Sequence, residues 1–277
     1  MAAKTPNQSI VGSMDDFEVV TEQPQPSHGH SDTHLTCASR LMAYDSLRPQ
    51  MPWALQRLVA VDQLIIKQKV ELLEAFTGCE THNKYEIFNT GGVQIFRAEE
   101  QNDWCTLFCC GPNRPFEMSI MNEHGHEGLR LSRPFRCTCS CCFAYCCCLQ
   151  EMDVFSPPGT LVGTVEQNVS CCNPKFSIKD EMGNTVLKLE GPVCVIECCN
   201  DVDFKLLTLD GNQIGRVSKN WSGFAKEFFT DAENFTVTFP KDLDAKVKAT
   251  ILGACLLVDF MYFEKTHDQE NDGAIGF

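Results

Sequence analysis

Residues 84–98 read KYEIFNTGGVQIFRA. Apolar and polar side chains alternate through Lys84–Asn89, break at Thr90-Gly91-Gly92, and resume through Val93–Ala98. A period of two places every second side chain on one face, and a short glycine-containing break between two such runs is a β-hairpin signal. The unit recurs along the chain. Phe116, Met118 and Ile120 precede Glu123-His124-Gly125, and Met152–Phe155 and Leu161–Val165 flank Pro157-Pro158-Gly159. Phe176 and Ile178 lead into Asp180–Asn184 and then Val186–Leu189; Phe204 and Leu206 lead into Asp210-Gly211-Asn212, with Ile214 and Val217 beyond. Many short strands without intervening helices predict an all-β barrel or sandwich. Closure is favoured, because an open sheet of this size leaves unpaired edges.

Val247–Phe263 (VKATILGACLLVDFMYF) departs from the alternation. From Ala249 onward only Thr250 and Asp259 are polar, so the run is apolar on nearly every face and reads as a helix wrapped in hydrophobic material. Two settings meet that need. Ala249–Phe263 is fifteen residues, short of the ~20 that span a bilayer, and Asp259 would cost roughly 2.5–3.5 kcal/mol near a helix centre in lipid. The alternative is the axis of the barrel, with Val247, Ile251, Leu256, Val258, Phe260 and Phe263 as core. Residues 1–50 are polar, with Pro, Ser, Gln and His, and bury too little to offset chain entropy, so a disordered tail is expected before a folded domain at 51–265 and a short tail at 266–277.

The net charge is −14. An acidic surface repels phosphate, which argues against nucleic acid and against purely electrostatic attachment to an anionic leaflet. Membrane contact then has to come from apolar segments or acyl chains. Eighteen cysteines stand out. The start, MAAKTPNQSI, has no signal-peptide core, Ala2 excludes N-myristoylation, and adjacent cysteines pair poorly with separate partners, so reduced thiols in the cytosol are expected. The densest run holds Cys137, Cys139, Cys141, Cys142, Cys146, Cys147 and Cys148. Its spacing is too compressed for a zinc site with two separated pairs. Multiple S-acylation beside Phe143 and Tyr145 is the reading that suits it, since two or more chains hold a protein firmly at a bilayer; a buried cysteine-rich strand pair is the structural alternative. Cys109-Cys110, Cys171-Cys172 and Cys198-Cys199 read as packed small hydrophobes.

Asp231–Asp242 (DAENFTVTFPKD) places carboxylates at positions 1, 3 and 12, as in a calcium loop. Phe235, Val237 and Phe239 offer only backbone carbonyls there, and Thr236 stands where a glycine is usual, so any site is weak, about 10⁻⁴–10⁻³ M. The competing reading is a turn and an amphipathic strand over Phe235–Phe239. No G-x-S-x-G, P-loop or H-E-x-x-H motif occurs, and His124 and His126 fall in an exposed turn.

Together these segments resemble the phospholipid scramblase family. The resemblance runs from about Met51 to Glu264 and is carried by LIIKQKVELLEAFTGCETHNKYEIFN (64–89), the run from Arg133-Pro134 to Glu151, PPGTLVGTV (157–165), GPVCVIECCNDVDFKL (191–206), GRVSKNWSGF (215–224) and residues 230–264. It implies a tubby-like closed barrel of about twelve strands around a central C-terminal helix. It implies calcium-triggered, ATP-independent, bidirectional movement of phospholipids between leaflets, by a lipid translocator and not a chemical catalyst. It implies palmitoylation within Cys137–Cys148 and a Ca2+ segment mapping onto Asp231, Glu233, Phe235, Val237, Phe239 and Asp242. Glu233 replaces a usual Asp and Thr236 a usual Gly, which weakens the expected calcium site.

The resemblance places the protein at the cytoplasmic face of the plasma membrane, acyl-anchored, with a type II single-pass reading of the helix as the rival to the barrel core. A non-classical nuclear signal in relatives corresponds to 215–224, where Arg216 and Lys219 are the only basic residues; a strand and turn is the competing reading. The proline-rich arm that would recruit SH3 or WW partners is nearly missing. Membrane phospholipids are the implied partners, and a homo-oligomer is one way to build the polar path that a compact barrel lacks. The function alternative is a palmitoylated membrane adaptor or regulator, with a nuclear role.

Overall fold

The chain folds as a closed antiparallel barrel with a helix along its axis, in a computed structural model describing residues 51–69, 82–101, 114–136, 149–193, 202–220 and 234–263. A short helix, α1 (Trp53–Val59), precedes the strands. The strands are β1 (Gln63–Gln68), β2 (Lys84–Asn89), β3 (Gln94–Gln101), β4 (Phe116–Met121), β5 (Glu127–Arg133), β6 (Glu151–Ser156), β7 (Thr160–Gln167), β8 (Lys175–Asp180), β9 (Thr185–Glu190), β10 (Val202–Leu207), β11 (Gln213–Asn220) and β12 (Asn234–Thr238). Helix α2 (Ala245–Tyr262) follows. Each strand pairs with its sequence neighbours, and β12 closes the ring on β1 with Leu64 opposite Val237 and Ile66 opposite Phe235.

Period two explains the wall. Ile87, Met118, Ile120, Leu129, Leu131, Val154, Ile178 and Leu189 point inward and are fully buried, whereas alternate residues such as Glu117, Arg130 and Ser132 reach the outer face; Ser119 and Ser177 are buried on that face. Even-to-odd connections are tight. In the β8–β9 turn Asp180 Oδ1 accepts from the backbone N–H of Met182 (3.0 Å) and of Asn184 (2.8 Å), and Gly183 takes φ +81°, which a β-carbon would oppose. Those hydrogen bonds hold the Asp180 carboxyl below its usual pKa, Asn184 foremost. The hairpins expected at 90–92, 123–125, 157–159, 180–184 and 210–212 all form.

The axis is filled by α2. Asp244 caps it, its Oδ1 accepting from Lys246 N at 2.8 Å. Thirteen consecutive residues from Lys248 to Phe260 are buried. No described helix is long and apolar enough to cross a membrane. The spanning reading of Val247–Phe263 is therefore corrected: strands already cover its faces, and no apolar side is left for lipid. Its polar residues confirm the setting. Tyr85 Oη donates to Asp259 Oδ2 at 2.6 Å, and Thr250 Oγ1 donates to Lys246 O at 2.9 Å. Protein groups meet these demands, whereas hydrocarbon would not.

The helix fits because the wall thins against it. A β-carbon on Gly163 of β7 would lie 2.3 Å from Thr250 Oγ1 and 2.5 Å from Lys179 O. Gly163→Val is expected to destabilise the protein by roughly 1–3 kcal/mol, the usual cost of overpacking. Urea denaturation of the full chain checks this; an unchanged midpoint would mean that α2 does not press on β7.

Candidate functional site

The up-and-down order gives the barrel two unlike ends. Every even-to-odd connection is a tight turn, so this is the turn end. The odd-to-even connections leave from the other end: residues 69–83, 102–115, 134–150, 168–174, 191–201 and 221–233. All cysteines except Cys37 and Cys255 fall in these connections or in the residues beside them. The acylation candidates Cys137, Cys139, Cys141, Cys142, Cys146, Cys147 and Cys148 lie outside the described residues, but the chain enters that run from β5 and leaves it for β6 at this cysteine end. Cys171 and Cys172, in the β7–β8 connection, are exposed. The expectation that this pair packs as small hydrophobes is corrected, because the segment turns outside the wall.

Beneath the cysteine end, aromatic rings and buried cations close the barrel around the last turn of α2. Phe116 stacks on Phe260 with ring centroids 4.1 Å apart. The Arg114 guanidinium lies 5.1 Å from the Phe260 ring, and its Nε and Nη2 donate to Glu100 at 2.5 and 2.9 Å. Arg133 lies over Phe116 and donates twice to Gln150 Oε1, at 3.1 and 2.7 Å. Lys219 Nζ sits 4.0 Å from the centre of the Phe263 ring. Cations near a helix C-terminus are favourable, and desolvated cation–ring contacts contribute about 2 kcal/mol. Lys219 is thus buried and Arg216 exposed, with Arg216 Nη1 3.8 Å from Asp203 Oδ2. Of the two basic residues read as a nuclear signal, the fold offers only Arg216 to solvent.

The calcium segment is divided by the fold. Asp231 and Glu233 lie outside the described residues, whereas Phe235 and Val237 are buried in β12, Phe239 is buried beyond it, and Asp242 is exposed. Glu233 is bonded to Asn234 at the cysteine end; Asp242 follows Thr238 at the turn end. The five residues of β12 span about 17 Å between those two ends. Both edges of β12 are paired, so the Phe235 and Val237 carbonyls face neighbouring strands.

At the turn end α1 forms the plug, with Ala54, Leu55 and Leu58 buried. Its last carbonyls are capped from inside the barrel. Lys248 Nζ, fully buried, shares its three N–H groups among Leu58 O (3.1 Å), Val59 O (3.0 Å), Val61 O (2.7 Å) and Lys241 O (2.7 Å). Burial lowers the Lys248 pKa, and the charges of Asp242 and Asp62 act against that shift.

Comparison with known proteins decides the family. A profile described as Scramblase matches residues 42–265. The chain belongs to the scramblase family. Scramblase relatives include phospholipid scramblase 1 of Mus musculus, 50% identical over 220 residues, 79% of this chain and 66% of that protein. Phospholipid scramblase 2 of Bos taurus is 50% identical over 219 residues, 79% of this chain and 74% of that protein. Phospholipid scramblase 1 of Homo sapiens is 48% identical over 225 residues, 81% of this chain and 70% of that protein. The matched region thus spans just under two thirds of the mouse protein. No solved structure matches the chain.

Lys248→Met keeps the length of the stem but removes the donor from four carbonyls. The loss expected is about 3 kcal/mol, the scale of a buried polar network left unsatisfied. Hydrogen exchange would check the mechanism, with Lys248→Met speeding exchange in 53–61 more than in β4–β6; equal protection of 53–61 in the wild type and the variant would rule the cap out.

Proposed function

We propose that this scramblase moves phospholipids between leaflets, in both directions and without ATP, in response to calcium, as a translocator of lipids and not a chemical catalyst. The observation that carries the reading is topological: a family member whose relatives are named phospholipid scramblases sends its cysteine-bearing connections to one end of a sealed barrel. Palmitoylation within Cys137–Cys148 anchors that end at the cytoplasmic face of the plasma membrane. Two chains or more hold it there, each buried methylene contributing about 0.8 kcal/mol. The exposed apolar residues Phe135, Val169 and Val193 stand where β5, β7 and β9 reach the same end and add to the contact. Calcium acts in the 231–242 segment at about 10⁻⁴–10⁻³ M.

A specific observation favours a second reading. The interior is filled by α2, so no headgroup passes through the barrel. A lipid path therefore runs along the outside or between copies of the chain. If neither exists, the protein is a palmitoylated adaptor whose influence on lipid is indirect.

Purified protein in liposomes carrying a fluorescent lipid separates the two. Direct translocation predicts that half-maximal loss of outer-leaflet asymmetry needs calcium at about 10⁻⁴–10⁻³ M; the adaptor reading predicts no change at any calcium concentration. Replacing the seven cysteines of 137–148 by alanine is expected to move the protein from the membrane to the soluble fraction of cells and to abolish hydroxylamine-sensitive acyl labelling. Persistent labelling would place the anchor elsewhere.

A further inference from the structure

A groove of about 470 Å³ runs over the outer wall of β4, β5 and β6 beside the β6–β7 turn, outside the filled interior. Register builds it: Glu117 pairs with Ser132, and Arg130 pairs with Phe155, so these four side chains face outward together. Pro157 and Pro158 of the β6–β7 turn close one side. Its volume suits a small ligand.

The charged groups inside lie side by side, with Arg130 between Glu127 and Glu117. Arg130 is fixed by Glu127, with Nε at 3.1 Å and Nη2 at 2.9 Å from Oε1. Glu127 is itself held, accepting from Ser119 Oγ at 2.8 Å, and Ser119 accepts from Gln101 Nε2 at 2.8 Å. This chain of bonds orients the guanidinium but leaves Nη1 with only a 3.9 Å approach to Glu117 Oε2. Nη1 therefore keeps donors to give, the Ser132 hydroxyl lines the groove beside it, and the Glu117 carboxylate is half exposed. A guanidinium fork recognises phosphate well, and a carboxylate takes an ammonium. Phe155 with the two prolines supplies an apolar wall.

We propose that this groove binds the zwitterionic head of a phospholipid, phosphate on Arg130 and Ser132 and the amine on Glu117. The inference rests on the lipid-handling reading for its ligand class and gives that reading a subsite outside the filled barrel. An isolated anion fits less well, since Glu117 and Glu127 would repel it; a head carrying both charges satisfies both.

Titration of the full-length protein with glycerophosphoethanolamine, with dihexanoylphosphatidylethanolamine below its micellar concentration, and with inorganic phosphate tests this by NMR or calorimetry. Both phosphoethanolamine ligands are expected to bind saturably, with affinity falling about tenfold in Arg130→Gln and about tenfold in Glu117→Gln, one charged contact each. The lipid is expected to bind more tightly than the glycerol ester through Phe155; equal affinity would assign the site to soluble phosphate esters and overturn the lipid source. Inorganic phosphate bound as tightly as either ester, with no effect of Glu117→Gln, would reduce the groove to an anion site and overturn the proposal. So would the absence of saturable binding, or binding indifferent to both substitutions while circular dichroism shows both variants folded. Liposome translocation by a wild type that binds no headgroup would sink the groove alone; headgroup binding without translocation would sink the transport reading alone.

Discussion

A helix that is apolar on every face needs a wall on every side, and a twelve-strand wall needs something to fill it. Each half of that statement constrains the other here. The pairing of β12 with β1 completes the ring around α2, so that each described strand pairs on both sides. Three polar residues of α2 find protein partners: Asp259 in Tyr85, Thr250 in its own helix, and Lys248 in carbonyls of Leu58, Val59, Val61 and Lys241. Such matching matters because a buried polar group without a partner costs about 1–3 kcal/mol.

The filled axis turns the functional question outward. With α1 and Lys248 sealing one end and an aromatic and cationic layer closing the other, chemistry toward lipid is confined to the rim and the outer wall. The rim carries the cysteines and so suits attachment. The outer wall carries polar side chains brought together by register and so suits recognition. Under the proposed reading, attachment and recognition fall to different surfaces of the barrel.

The sheet was legible because period-two alternation and glycine turns are local signals, and the turns at 90–92, 180–184 and 210–212 fell where the residues put them. Helix α1 was not legible: WALQRLV is seven residues, too short to show a period, and its burial depends on Gly128 and Phe96 far along the chain. The setting of α2 stayed open in sequence because lipid and a barrel core select the same apolar residues; only the partners of Lys248 and Asp259 separate them, and these come from distant elements. Cys171 and Cys172 were misread because a cysteine pair carries no sign of which way its connection turns. Nothing marked the outer groove, since Glu117, Arg130, Ser132 and Phe155 belong to three strands and meet only through register.

The calcium segment shows how two linear patterns compete for one stretch of chain. Carboxylate spacing suggests a loop over Asp231–Asp242, while Phe235, Val237 and Phe239 suggest a strand; in the barrel Asn234–Thr238 is strand. Gathering Glu233 and Asp242 around one ion would require β12 to leave the wall. Binding at 10⁻⁴–10⁻³ M supplies about 4–5.5 kcal/mol. Exposing the three buried side chains alone would cost roughly 5–9 kcal/mol, before counting the ladders to β1 and β11, at about 0.5–1.5 kcal/mol for each hydrogen bond. An ion that weak does not open the ring. The proposed calcium response, at this strength, would have to be local to one end of β12 and leave the barrel closed.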